Sequence, residues 1–448
     1  MRQNWTWFRK HLILLQCAFH AAGPGFTSAI LIPALEPLAE QFGISPQKAS
    51  YLVATHVLFL GLAPFLWNPL MNAFGRRSVL VGTMLLSCVA ALGGGFADSY
   101  GTLMTARIFQ SIGISSGMVV PGAVVVDIFN KEERGRKNGV WTQMISLGAP
   151  VGGIIGGPVI YYVGWRWVLW LTAICNGLQF LAYLFTVPET SQTQRQLSGP
   201  GKTQLFSIPK RAPGRLGLRS FIEPFLLLQS PHVTLVAFAY SVTFAITSPG
   251  ISAIVPLATK EVYNFSPVAQ GLFFVGPLVG VLLGELVAGP ASDWLMNRER
   301  SRAANTARDV RLEARLIGGL PGYFLAPLGV IIFGVTLETH CPWIAPCIGF
   351  ALANFGLQLV TTPLKTYCID CYPSHSGSVL QLINAIRQII SFTVPFWSPN
   401  LSAKVGYGLG FGIEAIIMVF FFVCSLLAFW KGSTWRRVVN VRGLVEVT

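Results

Sequence analysis

Charge is what this chain lacks. Asp, Glu, Lys and Arg make up only 11% of its 448 residues, whereas a soluble domain carries roughly a quarter. A water-facing enzyme surface cannot be assembled from so few. Acids are the scarcer kind, 18 against 32 Lys and Arg, leaving a net charge of +14. Histidine occurs six times and is widely dispersed, which argues against a membrane-embedded enzyme, since that would need His, Asp or Cys clustered at one depth. Most of the eight cysteines fall inside apolar stretches (Cys17, Cys88, Cys175, Cys424), where a thiol packs as a small apolar group. Cys368-x-x-Cys371 stands alone, with no second pair or histidine nearby, so no metal site and no redox centre is expected. A phosphate-binding loop is also missing. Gly199-Pro-Gly-Lys-Thr203 mimics the end of one, but Gln196 stands where the loop needs glycine and no strand precedes it. No nucleotide is therefore expected. The basic balance does not indicate nucleic acid either, because the cations occupy alternate loops and form no single patch.

Long apolar runs are what the sequence has instead. Hydrophobic residues are 52% of the chain and the mean hydropathy is +0.58. About twelve stretches of roughly 20 residues match the hydrocarbon thickness of a bilayer at 1.5 Å per helical residue. They are Leu12 to Pro33, Ala49 to Met71, Val79 to Phe96, Gly101 to Val126, Gly139 to Val163, Trp167 to Val187, Val233 to Val255, Val268 to Ala288, Leu316 to Leu337, Trp343 to Leu364, Val379 to Trp397 and Gly408 to Trp430. The first follows Arg2, Arg9 and Lys10, but it is too long for a signal peptide and no small-residue cleavage site follows it. It reads as the first membrane helix. A twelve-helix, all-α integral membrane protein is expected, with the lipid bilayer as its surroundings.

The loops fix an orientation. With the N-terminus inside, the cytoplasmic segments collect Arg76, Arg77, Lys131, Arg134, Arg136 and Lys137, a middle group from Arg195 to Arg219, a further group from Arg298 to Arg315, and the tail cations Lys431 to Arg442. The opposite side holds only Lys48, Arg166, Lys260 and Lys404. This asymmetry places both termini in the cytoplasm, and the plasma membrane is the expected location. Asn264-Phe-Ser266 and Asn400-Leu-Ser402 are then expected in outside loops. Residues 191–230, rich in Ser, Gly, Pro and Gln, read as a cytoplasmic linker between a six-helix bundle at 1–190 and a second at 231–448. The halves echo each other. Asn68-Pro69-x-x-Asn72 ends the second span, and Gly289-Pro290-x-x-Asp293 ends the eighth. Asp127 closes the fourth span with Gly135 eight residues on, and Asp370 closes the tenth with Gly377 seven residues on. Six helices repeated in one orientation is a transporter layout.

With these motifs in register, the chain resembles the major facilitator superfamily, and is similar to its fungal twelve-helix drug:proton antiporter group. Asn68-Pro-Leu-Met-Asn-Ala-Phe-Gly75-Arg76-Arg77 resembles the family's G-x-x-x-D-R-x-G-R-R loop, with Asn72 in place of Asp and Ala73 in place of Arg. Arg107-Ile-Phe-Gln110 resembles the R-x-x-Q motif of helix four. Gly148-Ala-Pro150-Val-Gly152 resembles the antiporter motif of helix five. Gly164-Trp-Arg166-Trp167 and Pro188-Glu-Thr190 flank helix six as in that group, and Asp370-Cys-Tyr-Pro373 and Asn384-x-x-Arg387 match its second half.

Candidate site residues follow from the residues and from this resemblance together. A cytoplasmic latch is expected from Gly75, Arg76, Arg77, Asp127, Asp293 and Asp370. Glycine permits the tight turn and the arginines can pair with acids at neighbouring helix ends. Gly148, Gly152 and Gly156, four residues apart, share a face on which another backbone can approach closely, and Pro150 removes one backbone bond beside it. The resemblance implies that this face seals the junction of the two bundles. Charged residues inside spans are costly in lipid unless they face a cavity or a partner. Arg107 lies about 10 Å into span four and Arg387 about 16 Å into span eleven. Glu285 is the candidate for reversible protonation, while Glu414 reads as structural because the resemblance puts helix twelve outside the cavity. The family's central helices suggest a substrate cavity lined by His20, Thr27, Ser115, Tyr240, Thr243, Asn354, Gln358 and Asn384.

The function expected is secondary active transport: a proton-coupled antiporter exporting small organic molecules, with the proton gradient as energy source, no bound cofactor and a functional monomer. The alternative is an importer or facilitator of a small nutrient such as a sugar. Against it, Pro188-Glu-Thr190 lacks the Pro-Glu-Ser-Pro-Arg continuation seen in sugar porters.

Overall fold

Twelve helices are long and apolar enough to cross a bilayer. They are α1 (Trp7–Phe42), α2 (Pro46–Phe74), α3 (Arg76–Gly95), α4 (Tyr100–Ile128), α5 (Gly139–Val163), α6 (Trp165–Thr186), α7 (Pro231–Tyr263), α8 (Pro267–Asn305), α9 (Ala314–Glu338), α10 (Ile344–Cys371), α11 (Ser376–Val405) and α12 (Tyr407–Gly432). The computed structural model describes residues 5–129, 131–191, 217–306, 311–372 and 375–438. No strand occurs among them.

Each expected span is present, and most run past the boundary that hydropathy suggested. Helical hydrogen bonding continues after the chain leaves the hydrocarbon, so charged residues join the helix end without registering as membrane. α8 carries on through Arg298, Glu299 and Arg300 to Asn305, and α10 continues through Asp370 to Cys371. The extension of α11 to Val405 corrects one expectation. Asn400 is not in a loop, because its turn is helical and its side-chain amide donates to the Phe396 carbonyl at 3.0 Å. Asn264 does sit at a helix end, in the left-handed conformation with φ 52°.

Several spans are interrupted beside proline, which cannot donate the backbone bond its position requires. α1 breaks after Ala29, passes through a 3₁₀ turn at Ile32–Ala34 and resumes at Leu35. α2 is jointed at Ala63 before Pro64. α4 has a 3₁₀ turn at Ser115–Met118 ahead of Pro121, and α7 has a π turn at Ile246–Gly250 around Pro249. Helix starts carry their own signals. Ser45 accepts from Lys48 N at 3.2 Å with Pro46 in the first turn, and Ser99 and Thr102 form a reciprocal capping box.

Two compact units divide the chain, Met1–Phe221 with Ser266–Leu272, and Ile222–Phe265 with Phe273–Thr448. In the first unit α1 packs on α5, α3 on α6 and α4, and α2 on α4. In the second, α7 packs on α11, α9 on α12 and α10, and α8 on α10. Advancing every helix of the first set by six gives the second, so the repeat glimpsed in short motifs recurs as a pattern of packing. The first unit buries Ile13, Leu14, Met71, Leu80, Val124 and Tyr183 in one apolar cluster and Ile30, Leu52, Leu103 and Val168 in another. The second is centred on Val233, Tyr240, Leu357, Val360, Tyr367 and Leu382.

The expected linker, 191–230, lies largely outside the described residues, as does the phosphate-loop mimic at 199–203. Its final part is helical: Leu218–Leu226 is followed by a 3₁₀ turn at Leu227–Gln229, with Leu227 fully buried. Of its apolar residues, Phe221 and Leu226 are partly buried while Ile222 and Phe225 are exposed.

Candidate functional site

The motif between α2 and α3 turns on Gly75, whose φ of 95° is strained for any side chain-bearing residue. This turn delivers two arginines in succession, and they do different things. Arg76 donates from Nη1 to the Met71 carbonyl at 3.1 Å and to Asn72 Oδ1 at 3.2 Å, while its Nε lies 3.2 Å from Asp127 Oδ2 at the end of α4. That last contact is an ion pair, and Nε is not aligned for a hydrogen bond. Asn72 thus still takes part, as a neutral acceptor in place of an acid. Arg77 does not reach Asp127. It donates to the Val187 carbonyl at 2.9 Å and the Leu184 carbonyl at 2.8 Å, capping the otherwise orphaned end of α6.

The segment after α6 completes this cluster, and sequence reasoning gave it no role beyond flanking the helix. Glu189 is 7% exposed. Its Oε1 accepts from Arg76 N at 3.0 Å and Ser191 N at 2.8 Å, and its Oε2 accepts from Arg77 N at 3.2 Å. A carboxylate therefore sits on the free N–H groups that open α3, where the helix end favours negative charge. Burial pushes this carboxyl above its ordinary range, against the lowering effect of those three backbone bonds. Thr190 donates to Asp127 Oδ2 at 3.2 Å, so Pro188-Glu-Thr190 binds both the start of α3 and the acid that closes α4.

A matching arrangement occurs in the second unit around Arg315, which the sequence offered only as one of many topology cations. Arg315 opens α9, is 8% exposed, and donates from Nε to Asp370 Oδ2 at 2.7 Å and from Nη1 to Ser292 Oγ at 3.2 Å. Asp293 Oδ1 is 3.8 Å from the same guanidinium and mostly exposed. Asp293 and Asp370, expected in a latch, thus meet at an arginine in the position that corresponds to Arg76. The repeat Asp127/Asp370 could have indicated it: where the acid closing a helix recurs, the cation it holds should recur too.

Within the first unit Arg107 is 1% exposed and is held by Gln110 Oε1 at 2.8 Å and by the Thr27 carbonyl at 3.0 Å. No acid pairs with it among the described residues. Ser111 Oγ lies against both the Arg107 carbonyl, at 2.6 Å, and His56 Nδ1, and His56 Nε2 meets Thr27 Oγ1 at 3.1 Å. His20 lies between Tyr183 Oη at 3.1 Å and Ser116 Oγ at 3.3 Å, and Ser115 accepts from Trp67 Nε1 at 3.0 Å. His20, Thr27 and Ser115 are therefore engaged in the interior of the unit.

The glycine face of α5 packs on α1. A Cβ on Gly148, Gly152 or Gly156 would run into the carbonyls of Ala22, Phe26 and Ile30 respectively. This face is taken up by α1 of the same unit, at backbone-to-backbone distance, with Pro150 between Gly148 and Gly152. The glycines serve the α1–α5 contact of the first unit.

In the second unit Tyr240 Oη accepts from Arg387 Nη1 at 3.2 Å, and Arg387 Nη2 donates to Asn384 Oδ1 at 2.8 Å. Thr243 bonds back to the Ala239 carbonyl, Asn354 donates to the Phe350 carbonyl at 3.0 Å, and Gln358 Oε1 is buried without a partner. Glu285 is half-buried on α8, within electrostatic reach of Lys365 on α10, a lysine the sequence reading left just outside its span. Glu414 is fully buried and accepts from Ser398 Oγ at 2.5 Å, tying α12 to α11. Among the described residues no group of three His, Cys, Asp or Glu could hold a metal ion.

Comparison with known proteins agrees with this architecture. Residues 21–395 match the family model described as Major Facilitator Superfamily. The "Probable efflux pump mfs2" of Aspergillus flavus is 27% identical, over 92% of this chain and 99% of its own. The "Efflux pump radE" of Floropilus chiversii is 25% identical, over 97% of this chain and 82% of its own. Among solved structures, the human organic anion transporter MFSD10 superposes with a TM-score of 0.64 at 16% identity, covering 93% of this chain and 99% of that one. A bacterial homologue of the human lysosomal transporter Spinster, inward-facing and unoccupied, gives 0.66 at 13% identity, covering 97% and 99%.

Proposed function

The chain belongs to the major facilitator superfamily, and on that premise we propose that it exports small organic molecules, drugs or secondary metabolites, by proton-driven alternating access. It is a transporter and makes or breaks no bond in its cargo. The observation that carries the reading is the recurrence of one arrangement in both units: an arginine opening α3 or α9 held to the acid closing α4 or α10. Such paired clusters at helix junctions have two discrete states, made and broken, which is what a rocking bundle requires. Export is favoured over import by the fungal relatives named as efflux pumps.

Glu285 is the group proposed to take the proton, because no carboxylate-binding cation lies within ion-pair distance of it among the described residues and a carboxyl at that depth is costly when charged. Arg107 and Arg387 are the fixed charges of the cycle. The test is transport by the full chain in liposomes under an imposed pH gradient, over a panel of drugs and fungal metabolites. Glu285→Gln is expected to abolish gradient-driven accumulation while exchange without a gradient survives. Uphill pumping by this variant with normal pH dependence removes Glu285 from the mechanism. Both termini are proposed to face the cytoplasm of a plasma-membrane protein; a reporter inserted after Gly201 that proved extracellular overturns that orientation.

A further inference from the structure

Three side chains in the second unit form a cluster whose charge is not balanced. Arg387 on α11 is 7% exposed, yet its Nε has no hydrogen-bond partner. Its guanidinium lies 4.3 Å from the centre of the Phe244 ring and donates to Tyr240 Oη and Asn384 Oδ1. Lys365 on α10 approaches the same tyrosine from another side, with Nζ 5.5 Å from the ring centre. Among the described residues no carboxylate lies within 4.0 Å of either cation; Glu285 on α8 is within electrostatic reach of Lys365, but beyond ion-pair distance. Two cations therefore share one tyrosine inside the membrane span without an anion.

We infer that this cluster is the binding site for the anionic group of an organic anion, with Arg387 and Lys365 as its cations, Tyr240 between them and Phe244 beside the apolar body. The inference deepens the proposed function, resting on the reading as a transporter of small organic molecules and not on which group carries the proton. The chemistry is direct. A guanidinium with a free Nε–H offers a fork to a carboxylate or sulfonate, and a lysine ammonium adds a movable second charge. A neutral or cationic cargo would leave both cations uncompensated in low dielectric, where such a charge is least tolerated. Lys365, Asn384 and Phe244 are half-buried, so the cluster has an approachable side. Depth separates a cargo site from a lipid headgroup site. At 1.5 Å per residue Lys365 is about 9 Å from the end of α10, Tyr240 about 14 Å from the start of α7 and Arg387 about 17 Å from the start of α11, near the bilayer midplane.

Arg107 in the first unit also has an unpartnered Nε, but neither a second cation nor an aromatic ring in contact with it is found among the described residues.

The test uses a probe that stays ionised, 2-naphthalenesulfonate, and its neutral relative 2-naphthalenesulfonamide, with the full-length protein in phosphatidylcholine vesicles. Binding is read by equilibrium dialysis of radiolabelled probe, and transport by counterflow. The sulfonate is expected to bind at least tenfold more tightly than the sulfonamide. Lys365→Gln and Arg387→Gln are each expected to weaken the sulfonate at least tenfold and the sulfonamide less than twofold, and Lys365→Arg is expected to retain binding. Folding of each variant is checked by its sulfonamide affinity. Sulfonate affinity unchanged in Lys365→Gln, or no preference for the sulfonate in the wild type, overturns the inference. Loss of sulfonate binding on adding phosphatidylserine assigns the cations to lipid and overturns it too. If the sulfonate binds as described but no compound moves in counterflow, the site stands and the transport reading fails. If neutral compounds are driven by a pH gradient while the sulfonate does not bind, the reverse holds.

Discussion

Replacing Glu189 with alanine should open the first turn of α3 without touching a single residue of that helix. The carboxylate accepts from Arg76 N, Arg77 N and Ser191 N at 2.8–3.2 Å, and it is almost wholly buried. A buried N–H deprived of its acceptor costs about 1–3 kcal/mol. Two such groups belong to α3, and water at the membrane surface can enter the gap left by the side chain, so the lower part of the range applies, about 2–3 kcal/mol for the pair. Hydrogen exchange should register this as a loss of protection of about 30- to 150-fold at the Arg76 and Arg77 amides, at 1.4 kcal/mol per tenfold. The amides of α9 belong to the other unit and serve as the internal control. Glu189→Gln keeps one carbonyl oxygen but turns an NH₂ toward the second N–H, so its loss should fall between wild type and alanine. Arg76 and Arg77 amides that keep wild-type protection in Glu189→Ala would refute the reasoning, and would mean that the turn at Gly75 holds the helix start by itself.

Two further outcomes follow from the same structure. Neutralising Arg76 and Arg77 together, as glutamines, should slow turnover more than it weakens substrate binding, because both side chains are spent on helix ends and neither contacts the mid-span cluster; equal loss in both, measured by counterflow and dialysis, speaks against a latch. Gly152→Ala should destabilise the first unit by about 1–3 kcal/mol, the usual cost of overpacking, since its Cβ would meet the Phe26 backbone. A thermal unfolding midpoint unchanged from wild type would show that α1 can give way there.

Much of this molecule could be read from its sequence because the bilayer asks a simple question of each stretch: whether it is apolar for long enough. Twelve stretches answer it. The partners of individual side chains are a different matter. Arg315 was one of six arginines in a basic loop until α9 carried it to Asp370. Lys365 fell one residue beyond an estimated span because α10 does not stop where hydropathy does. Glu189 lay in a motif recognised only as a flank, since its role depends on a helix that starts 113 residues earlier. The three glycines of α5 announced a close approach, but the spacing of small residues names no partner, and that partner proved to be α1. Asn400 was misplaced for the same reason that helix ends were: a polar run near the membrane surface can be helix as readily as loop.

The seating of α5 on α1 has a consequence for how the chain is made. Phe26 and Ile30 present their backbone to Gly152 and Gly156, about 125 residues downstream. At about 5–20 residues per second of synthesis, α1 waits on the order of 6–25 s for its closest partner. During that interval the α1 face that will receive glycine has only lipid or the insertion machinery against it. The later helices α2, α3 and α4 must also be placed without closing the slot. A substitution that enlarges one of the glycines therefore acts twice, once on the finished unit and once on a nascent chain whose first helix is left without a seat.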